Sequence, residues 1–397
     1  MSKVFVDKKG ARRVRVEGHL WIYKSDILKI EARGGDVVTV FDEGKNFVGK
    51  AFYSDSSEIA LRIFTTKDET INKEFWRVKI LEAANRRREN AKHKLTTHHS
   101  PFTTNALRLV YSEGDLLPSL IVDDYAGVLV IQTLSQGAEK LKETFVEILI
   151  EEFKPSAIVE RNDVRVRGRE NLPEIAGVLR GAVSEEIIIE QNGLKFYVAP
   201  LGGQKTGSFL DQRENHFAAR NYAFGRALDC FTFNGGFALN LAQVCDEVAA
   251  IDISADAVNL ARRNAELNNI KNVEFQIANV FDALRDYEKS GEKFDCVVLD
   301  PPAFVKSRAA LKFAARGYKE INLRALKLLN KGGVLITCSC SFHFSAEIFL
   351  QTIEDAASDS KRRVQLLEKR MQARDHPILI GMPETYYLKC FILRVFD

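Results

Sequence analysis

The feature that most constrains the fold is an alternation of strands and helices that begins near residue 195. Short apolar runs, each typical of a buried strand, are separated by stretches in which apolar residues recur at helical spacing. The predicted strands are 227–231, 247–251, 273–277, 296–299 and 333–337, and the predicted helices are 237–245, 254–268 and 313–330. Strict alternation is typical of a doubly wound parallel sheet, with the ligand site at the carboxyl ends of its strands.

The first two of these strands end in residues suited to a nucleoside. The loop Leu228-Asp-Cys-Phe-Thr-Phe-Asn-Gly-Gly-Phe237 ends a strand and opens a helix, and its glycines let the backbone approach a ligand closely. The second strand ends in Asp252, whose carboxylate can accept both hydroxyls of a ribose. The dinucleotide fingerprint Gly-x-Gly-x-x-Gly is missing from the loop. The pattern therefore favours a nucleoside without a pyrophosphate over a nicotinamide or flavin.

The other three strands bring an amide, a carboxylate and two thiols to the same edge. Asn279 follows the third strand, where it can meet the adenine edge. Asp300 follows the fourth strand, and two prolines stiffen the turn between it and Phe304. The fifth strand ends with Cys338 and Cys340, and either thiol is a candidate nucleophile, with Cys340 favoured. A free thiol has a pKa of about 8.5, so the site must depress that pKa or remove the proton.

The first 190 residues follow different patterns and predict two further domains. Residues 1–70 alternate β-branched runs with glycine turns, which predicts a small β-barrel. Residues 71–190 mix strands with a connecting helix and with an amphipathic helix at 138–153, which indicates a central α+β domain. Residues 191–397 then form the alternating α/β domain, so the fold class is α/β with three domains in all.

Charge is distributed unevenly along the chain. Residues 1–100 contain 21 Lys and Arg against 14 Asp and Glu, a net charge of +7, which leaves −4 for the remaining residues of a chain whose total is +3. A basic segment joined to a mildly acidic remainder suits a nucleic-acid-binding module attached to a catalytic domain. A solvated surface explains the charge equally well.

Cysteine spacing and hydropathy indicate the compartment. The six cysteines all lie in the last 170 residues without the paired spacing of a zinc site, so we expect buried thiols, no metal and a reducing cytosol. The N-terminus has no apolar signal core, and nowhere does an apolar run reach the length of about 18 residues that a membrane span needs. We therefore expect a cytoplasmic protein that does not associate with membranes.

Together these motifs resemble a known family, the bacterial large-subunit ribosomal RNA cytosine-C5 methyltransferases. Members join a PUA domain, a central α/β domain and a Rossmann-like methyltransferase domain, and the resemblance covers essentially the whole chain. Besides the strand ends, it is carried by Gly18-His-Leu-Trp21, Leu117-Pro-Ser-Leu-Ile-Val-Asp123 and Gly203-Gln-Lys-Thr-Gly-Ser-Phe-Leu-Asp-Gln-Arg213, the last being strongly specific. Counted from Gly332-Gly333, the residue that matches the family's motif cysteine is Cys340.

The resemblance implies the reaction and the residues that perform it. The chain would be an S-adenosylmethionine-dependent enzyme that forms 5-methylcytosine in large-subunit ribosomal RNA, as a homodimer, with Cys340 as nucleophile and Asp300 as its catalytic partner. The implied cofactor-binding residues are Asp229, Phe231, Asn234, Gly235, Asp252, Ile253, Asn279, Val280, Asp300, Phe209 and Asp211. The implied RNA-binding residues are Phe304, Lys205, Arg213, His19 and Trp21.

Two departures from the family and several alternatives stay open. Asn279 stands where relatives usually have Asp, and its amide oxygen can still accept from the adenine amino group. Phe342-His343 replaces smaller residues after the nucleophile, which we expect to narrow the base pocket. Phe304 and Trp21 can equally be packing residues. The chain could instead methylate a purine ring nitrogen or an exocyclic amine, which needs no cysteine, or it could be a non-catalytic RNA-binding assembly factor.

Overall fold

The computed structural model describes residues 2–92, 104–203, 206–304 and 311–397. The chain divides into two compact units, and each unit combines segments that are distant in sequence. The first unit comprises Met1–Ile189, Val198–Leu210 and Arg374–Thr385, and the second comprises Glu190–Tyr197, Asp211–Ala373 and Tyr386–Asp397. Two short segments from the second half of the chain therefore belong to the first unit.

The amino-terminal part of the first unit is a mixed six-stranded sheet, in which β1 and β4 are parallel and the other neighbours are antiparallel. Its strand order is β2-β6-β5-β4-β1-β3. The strands are β1 Lys3–Val6, β2 Trp21–Tyr23, β3 Ile27–Glu31, β4 Val37–Asp42, β5 Phe47–Tyr53 and β6 Ile59–Thr65. Helix α1, Lys8–Arg15, begins after Asp7, whose carboxylate accepts from the Gly10 N–H at 2.7 Å and so caps the helix.

A five-stranded sheet with the order β11-β10-β9-β8-β7 forms the rest of the first unit. Its strands are β7 Ala106–Tyr111, β8 Leu120–Tyr125, β9 Val128–Thr133, β10 Ala157–Arg161 and β11 Ala176–Gly181. The accompanying helices are α2 Lys73–Lys92, α3 Gln136–Lys140 and α4 Lys142–Phe153. The single helix predicted at 138–153 is therefore two, because Leu141 leaves helical geometry at ψ 2°. Trp76 and Phe145 are buried in the core between α2, α4 and the sheet.

A hairpin of β12, Ile187–Gln191, and β13, Leu194–Val198, precedes the strands and helices of the second unit. The strands of the large sheet are β14 Arg226–Cys230, β15 Glu247–Asp252, β16 Val273–Ile277, β17 Phe294–Leu299, β18 Leu329–Ser339, β19 Val364–Met371 and β20 Lys389–Val395. The helices are α5 Arg213–Ala219, α6 Gly236–Leu241, α7 Ala255–Leu267, α8 Val280–Ser290, α9 Leu311–Leu328 and α10 Ala346–Ser360. All five predicted strands are present, and the predicted helices correspond to α6, α7 and α9.

The order of the large sheet is β16-β15-β14-β17-β18-β20-β19, which confirms the α/β class. The first five strands are mutually parallel, but β20 is antiparallel to both β18 and β19. The expectation of a wholly parallel sheet is thus wrong at this edge, because only a loop with a short 3-10 turn joins β19 to β20 and the chain returns in the opposite direction. The order reverses between β14 and β17, and that switch point is where a doubly wound sheet opens a crevice for ligands.

Helices pack against the sheet of the second unit and bury its strands. Leu228, Val297 and Leu335, one from each of the three central strands, are fully buried together with Ile321 and Ala325 of α9. This burial explains why the strands read as continuous apolar runs in the sequence. Within the described ranges, the helices are too short or too polar to cross a bilayer.

Candidate active site

The loop after β14 is held in an uncommon backbone conformation. Phe231 and Phe233 adopt positive φ angles of 67° and 49°, and Gly235 adopts 85°. Such angles are unfavourable for residues with a side chain and persist only where neighbouring contacts impose them. Here the N–H groups of Phe231 and Thr232 both donate to the Ile251 carbonyl, at 2.9 and 3.0 Å. The loop is therefore fixed against the end of β15.

The second glycine of the loop has a packing role. A Cβ at Gly236 would lie 2.4 Å from Cε1 of His216, which α5 carries against the start of α6. The His216 ring lies edge-on to Phe237 with centroids 4.5 Å apart. Burial lowers the pKa of His216 to about 3, so the imidazole is neutral. Glycine is needed at this position because helix and ring approach each other so closely.

Three carboxyl groups, Asp229, Asp252 and Asp300, lie at or near the carboxyl ends of neighbouring strands, and the charges of Asp300 and Asp252 act on Asp229. Asp229 is fully buried, and its Oδ2 accepts from Thr232 Oγ1 at 2.6 Å and from the Ala238 N–H at 2.9 Å. Its Oδ1 is buried without a hydrogen-bond partner in the described part of the chain. The pKa of Asp229 is raised to about 7. Burial is the largest cause, and the charges of Asp300 and Asp252 add to it, while the two hydrogen bonds lower the pKa.

This concentration of negative charge favours a cationic ligand. A pyrophosphate would be repelled, whereas S-adenosylmethionine carries a sulfonium and an ammonium group beside its one carboxylate. The buried Oδ1 of Asp229 requires a hydrogen-bond donor or a proton, because an unpaired buried carboxylate oxygen is costly. An ammonium group meets that requirement, so the residues present fit S-adenosylmethionine.

The predicted ribose-binding carboxylate is oriented by the backbone. Asp252 Oδ2 accepts from the Phe233 N–H at 3.0 Å and Oδ1 accepts from the Ser254 N–H at 2.9 Å. Each oxygen keeps a second lone pair, which suits two vicinal hydroxyls. The next residue, Ile253, has 68% of its surface exposed, which leaves an apolar side chain available to a ligand beside the carboxylate.

Two predicted cofactor-binding residues, Asn279 and Val280, lie at the start of α8. Asn279 caps this helix, because its Oδ1 accepts from the Phe281 N–H at 2.9 Å. The side-chain amide is thereby fixed, and the second lone pair of the oxygen stays available for an amino group. Val280 is buried beneath it. In the β14 loop, Asn234 is also nearly buried, and its carbonyl accepts from the Asn264 side chain at 2.9 Å.

The structure brings the predicted nucleophile to the turn that carries Asp300. Cys340 directly follows β18 and is half-buried, with Sγ 3.9 Å from the carbonyl oxygen of Pro301. Cys338 points instead into the core, where burial raises the pKa of its thiol well above the usual value and the neighbouring Cys390 raises it further. A thiol that stays protonated is a poor nucleophile, so these surroundings favour Cys340.

Gln212, which was not among the predicted site residues, holds Asp300 in place. Gln212 donates from Nε2 to Asp300 Oδ1 at 2.9 Å, and its own Oε1 accepts from Asn215 Nδ2 at 2.7 Å. Asn215 Oδ1 in turn accepts from Arg370 Nε at 2.9 Å. This chain of hydrogen bonds fixes the orientation of the Gln212 amide. The Asp-Gln-Arg motif could have indicated this glutamine, but only its two flanking residues, Asp211 and Arg213, were predicted as site residues.

Those flanking residues and Phe304 are partly or wholly enclosed. Asp211 is buried and accepts from the Tyr387 hydroxyl at 2.6 Å. Arg213 is buried at the start of α5, so its predicted contact with RNA stays a prediction. Phe304 packs on Tyr318 at a centroid distance of 4.7 Å and is only half-buried. Its predicted stacking on the target base also stays a prediction.

The roles of the remaining predicted residues stay predictions. Phe209 is half-buried in the first unit, and Lys205 lies outside the described residues. In the same unit Trp21 Nε1 donates to Glu113 at 2.9 Å, and His19 Nε2 lies 3.2 Å from Glu384. Their contact with RNA is untested. Over the described ranges, no group of three or more His, Cys, Asp or Glu side chains could hold a metal ion.

Comparisons with known proteins fit this geometry and define the class. Residues 4–66 match a family described as a PUA-like domain, and residues 225–380 match one described as a methyltransferase domain. The whole fold is similar to that of a SAM-dependent methyltransferase from Streptococcus mutans, with a TM-score of 0.82, 20% identity and full coverage of both chains. A second solved structure, described as a methyltransferase in complex with SAH, gives a TM-score of 0.84 at 19% identity, again over both whole chains. The fold and the matched domain thus define a methyltransferase.

Relatives of higher identity narrow the class to one family. The chain is 38% identical over 397 residues to the ribosomal RNA large subunit methyltransferase I of Shewanella frigidimarina, with 98% of each chain covered. It is 40% identical to the protein of the same name from Tolumonas auensis, covering 99% of this chain and all of the other. The chain belongs to the ribosomal RNA large subunit methyltransferase I family, which confirms the resemblance found in the sequence.

Proposed function

We propose that this enzyme methylates C5 of a cytosine in large-subunit ribosomal RNA. The observation that carries the proposal is the half-buried Cys340 thiol beside the Asp300-Pro301 turn, whose carboxylate also acts on the buried Asp229. Methylation of a nitrogen needs no thiol at this position, whereas C5 of cytosine is too weak a nucleophile to react unaided. The substrate class follows from the shared name of the relatives.

The thiol and the carboxyl group act on the two sides of the base. The Cys340 thiolate adds to C6, so an S–C6 bond forms. The C5–C6 electron pair shifts to a C4–C5 double bond, the C4–N3 bond becomes single, and N3 takes up a proton from solvent. Asp300 accepts hydrogen bonds from the protonated N3 and from the exocyclic amino group, which stabilises the ring as it changes charge. Gln212 holds Asp300 in the required orientation. The base must leave its stack to reach this pocket.

When bound, S-adenosylmethionine supplies an electrophilic methyl group to the activated C5. Asp229, Asp252 and Asn279 are the residues that would hold this cofactor. Removal of the C5 proton by a base then returns an electron pair to the ring. The S–C6 bond breaks, the C5–C6 and C4–N3 double bonds re-form, N3 returns its proton to solvent, and Cys340 is released as a thiolate.

RNA that contains 5-fluorocytidine tests the covalent step, because fluorine at C5 cannot be removed as a proton. We expect the wild-type chain to form a stable adduct with this RNA in the presence of S-adenosylmethionine, seen as a mass increase. Cys340→Ala should form no adduct and lose methyl transfer, while its S-adenosylmethionine affinity stays within about twofold. The matched control is Cys338→Ala, which should still form the adduct.

Other results would favour the alternatives. Methyl transfer by Cys340→Ala, without adduct formation by the wild-type chain, would indicate methylation of a purine nitrogen or an exocyclic amine. Failure of the wild-type chain to bind S-adenosylmethionine in a calorimetric titration would instead indicate a non-catalytic assembly factor.

A further inference from the structure

A lysine from the antiparallel edge of the sheet lies against the segment that carries the nucleophile. Lys389 begins β20 and pairs across the sheet with Ser339, the residue before Cys340. Its ammonium group donates to the carbonyl of Ser341, the residue after Cys340, at 2.7 Å, and to the Tyr387 carbonyl at 2.9 Å. The side chain therefore follows the backbone on both sides of the nucleophile.

Lys389 carries its charge in a buried position. Only 1% of its surface is exposed, and a buried ammonium group is costly unless an opposite charge compensates it. In the described ranges no Asp or Glu forms an ion pair with this lysine, whose hydrogen-bond partners are neutral carbonyls. Burial lowers the pKa of Lys389 to about 8, and the Cys340 thiolate is the negative charge that raises this pKa again. The lysine is therefore mostly protonated at neutral pH.

The tyrosine, the carboxylate and the thiols that neighbour the nucleophile in the described part of the chain do not supply a positive charge. Tyr318 of α9 contacts the same segment through Ser339, and burial raises the pKa of its hydroxyl to about 12, so it stays neutral. Asp300, which follows β17, carries a negative charge that opposes a thiolate. Cys338 in β18 and Cys390 in β20 are buried thiols. Among these groups only the lysine favours ionisation of the nucleophile.

We propose that Lys389 is a positioning residue for methyl transfer, whose buried ammonium group stabilises Cys340 as the thiolate that adds to the base. An opposite charge favours the ionised form of a thiol, and the effect is strong where water is excluded. The inference rests on the proposed function only in that it takes Cys340 as the nucleophile. The electrostatic coupling between the two side chains can be measured without RNA.

The test is the pH dependence of Cys340 alkylation by iodoacetamide, followed by mass spectrometry of the Cys340 peptide from the full-length protein. For the wild-type chain we expect a midpoint below the value of about 8.5 for an ordinary thiol. Lys389→Met should raise the midpoint by at least about one pH unit, which slows alkylation about tenfold at pH 7.5. Lys389→Arg keeps the charge and should restore most of the shift.

The matched control is Lys369→Met, which removes an exposed lysine from the adjacent strand β19 and should leave the midpoint unchanged. A midpoint in Lys389→Met equal to that of the wild-type chain would overturn the proposal. If that variant does not fold, the wild-type midpoint tests the proposal by itself. A value of about 8.5 or more would mean that the thiolate is not stabilised and would contradict the proposal.

RNA methylation provides a second readout and separates the two proposals. Lys389→Met should lose about tenfold in kcat at pH 7.5 and recover most of it at pH 9, where the thiol ionises unaided. A loss that persists at pH 9 indicates a merely structural role and contradicts the proposal. If alkylation shifts as expected while Cys340→Ala still methylates RNA, the charge coupling holds and the proposed covalent mechanism fails.

Discussion

Asp229 is a buried carboxyl group whose charge changes near neutral pH. Because burial raises its pKa to about 7, it is about half ionised at pH 7, and a cationic cofactor favours the ionised form. We expect the dissociation constant for S-adenosylmethionine to fall between pH 6 and pH 8, by at most about tenfold per unit. Calorimetric titrations across this range measure it. Asp229→Asn should bind S-adenosylmethionine more weakly and without the pH dependence. An unchanged pH dependence in that variant would show that another group titrates.

The same carboxyl group makes the stability of the cofactor-free protein depend on pH. Its pKa is 3.8 in the unfolded chain and about 7 in the folded one, so between these values the folded chain holds a proton that the unfolded chain has released. The contribution of this group to the free energy of unfolding therefore decreases as pH rises through that window. Thermal melts of Asp229→Asn between pH 5 and 8 should show a smaller decrease in Tm than those of the wild-type chain.

Gln212 tests whether the orientation of Asp300 matters for catalysis. Gln212→Leu removes a 2.9 Å hydrogen bond to a carboxylate, an interaction worth about 1.5–3 kcal/mol, so we expect kcat to fall about 10- to 100-fold. S-adenosylmethionine affinity should change little. Gln351→Leu, an exposed change on α10, is the control and should leave both quantities unaltered. Equal losses of kcat and cofactor affinity in Gln212→Leu would indicate a disturbed fold instead.

At the level of secondary-structure elements, the contact of α5 with α6 fixes the cofactor loop. Gly236→Ala places a Cβ within 2.4 Å of the His216 ring, so one of the two helices must shift. We expect a loss of about 1–3 kcal/mol in the free energy of unfolding and weaker S-adenosylmethionine binding. Chemical denaturation and calorimetry measure the two effects. The control is Gly177→Ala on β11, where an added Cβ meets nothing within 4 Å, and an equal loss there would remove the steric explanation.

Sequence patterns predicted some helices and strands better than others. Strands β14 to β18 were predicted because fully buried parallel strands form continuous apolar runs. Helix α8 was missed, although Asn279 at its N-cap and Gly291 at its end are ordinary boundary signals. Strands β19 and β20 were missed because β19 is half-exposed and the return between them lacks a helix. The direction of a strand depends on its connection and its partner, which periodicity does not report.

At the level of the whole molecule, the basic first hundred residues are expected to contribute to RNA binding. Lys8 and Arg12 on α1 are exposed and part of the +7 charge of the first hundred residues. The double charge reversal Lys8→Glu with Arg12→Glu should weaken RNA binding and reduce its dependence on salt concentration, because fewer counterions are released. Filter binding at several salt concentrations measures this effect. S-adenosylmethionine affinity should not change, and an unaltered salt dependence would place the RNA on other residues.

The homodimer implied by the family resemblance stays a prediction. A single chain has a mass of 44.8 kDa, so sedimentation equilibrium should give about twice that value for a stable dimer. A mass of one chain across micromolar concentrations would contradict the prediction.

The sequence alone determined the family, the α/β class and which strand ends carry the candidate site. It could do so because carboxyl ends of parallel strands meet at one edge, so residues after different strands converge without further information. The surroundings of those residues depend on tertiary packing between segments that are distant in sequence. Gln212 meets Asp300 across 88 positions and Lys389 meets Ser341 across 48, contacts that no local spacing encodes. The sequence motif already favoured Cys340 over Cys338, and the burial of Cys338, which packing determines, supports that prediction.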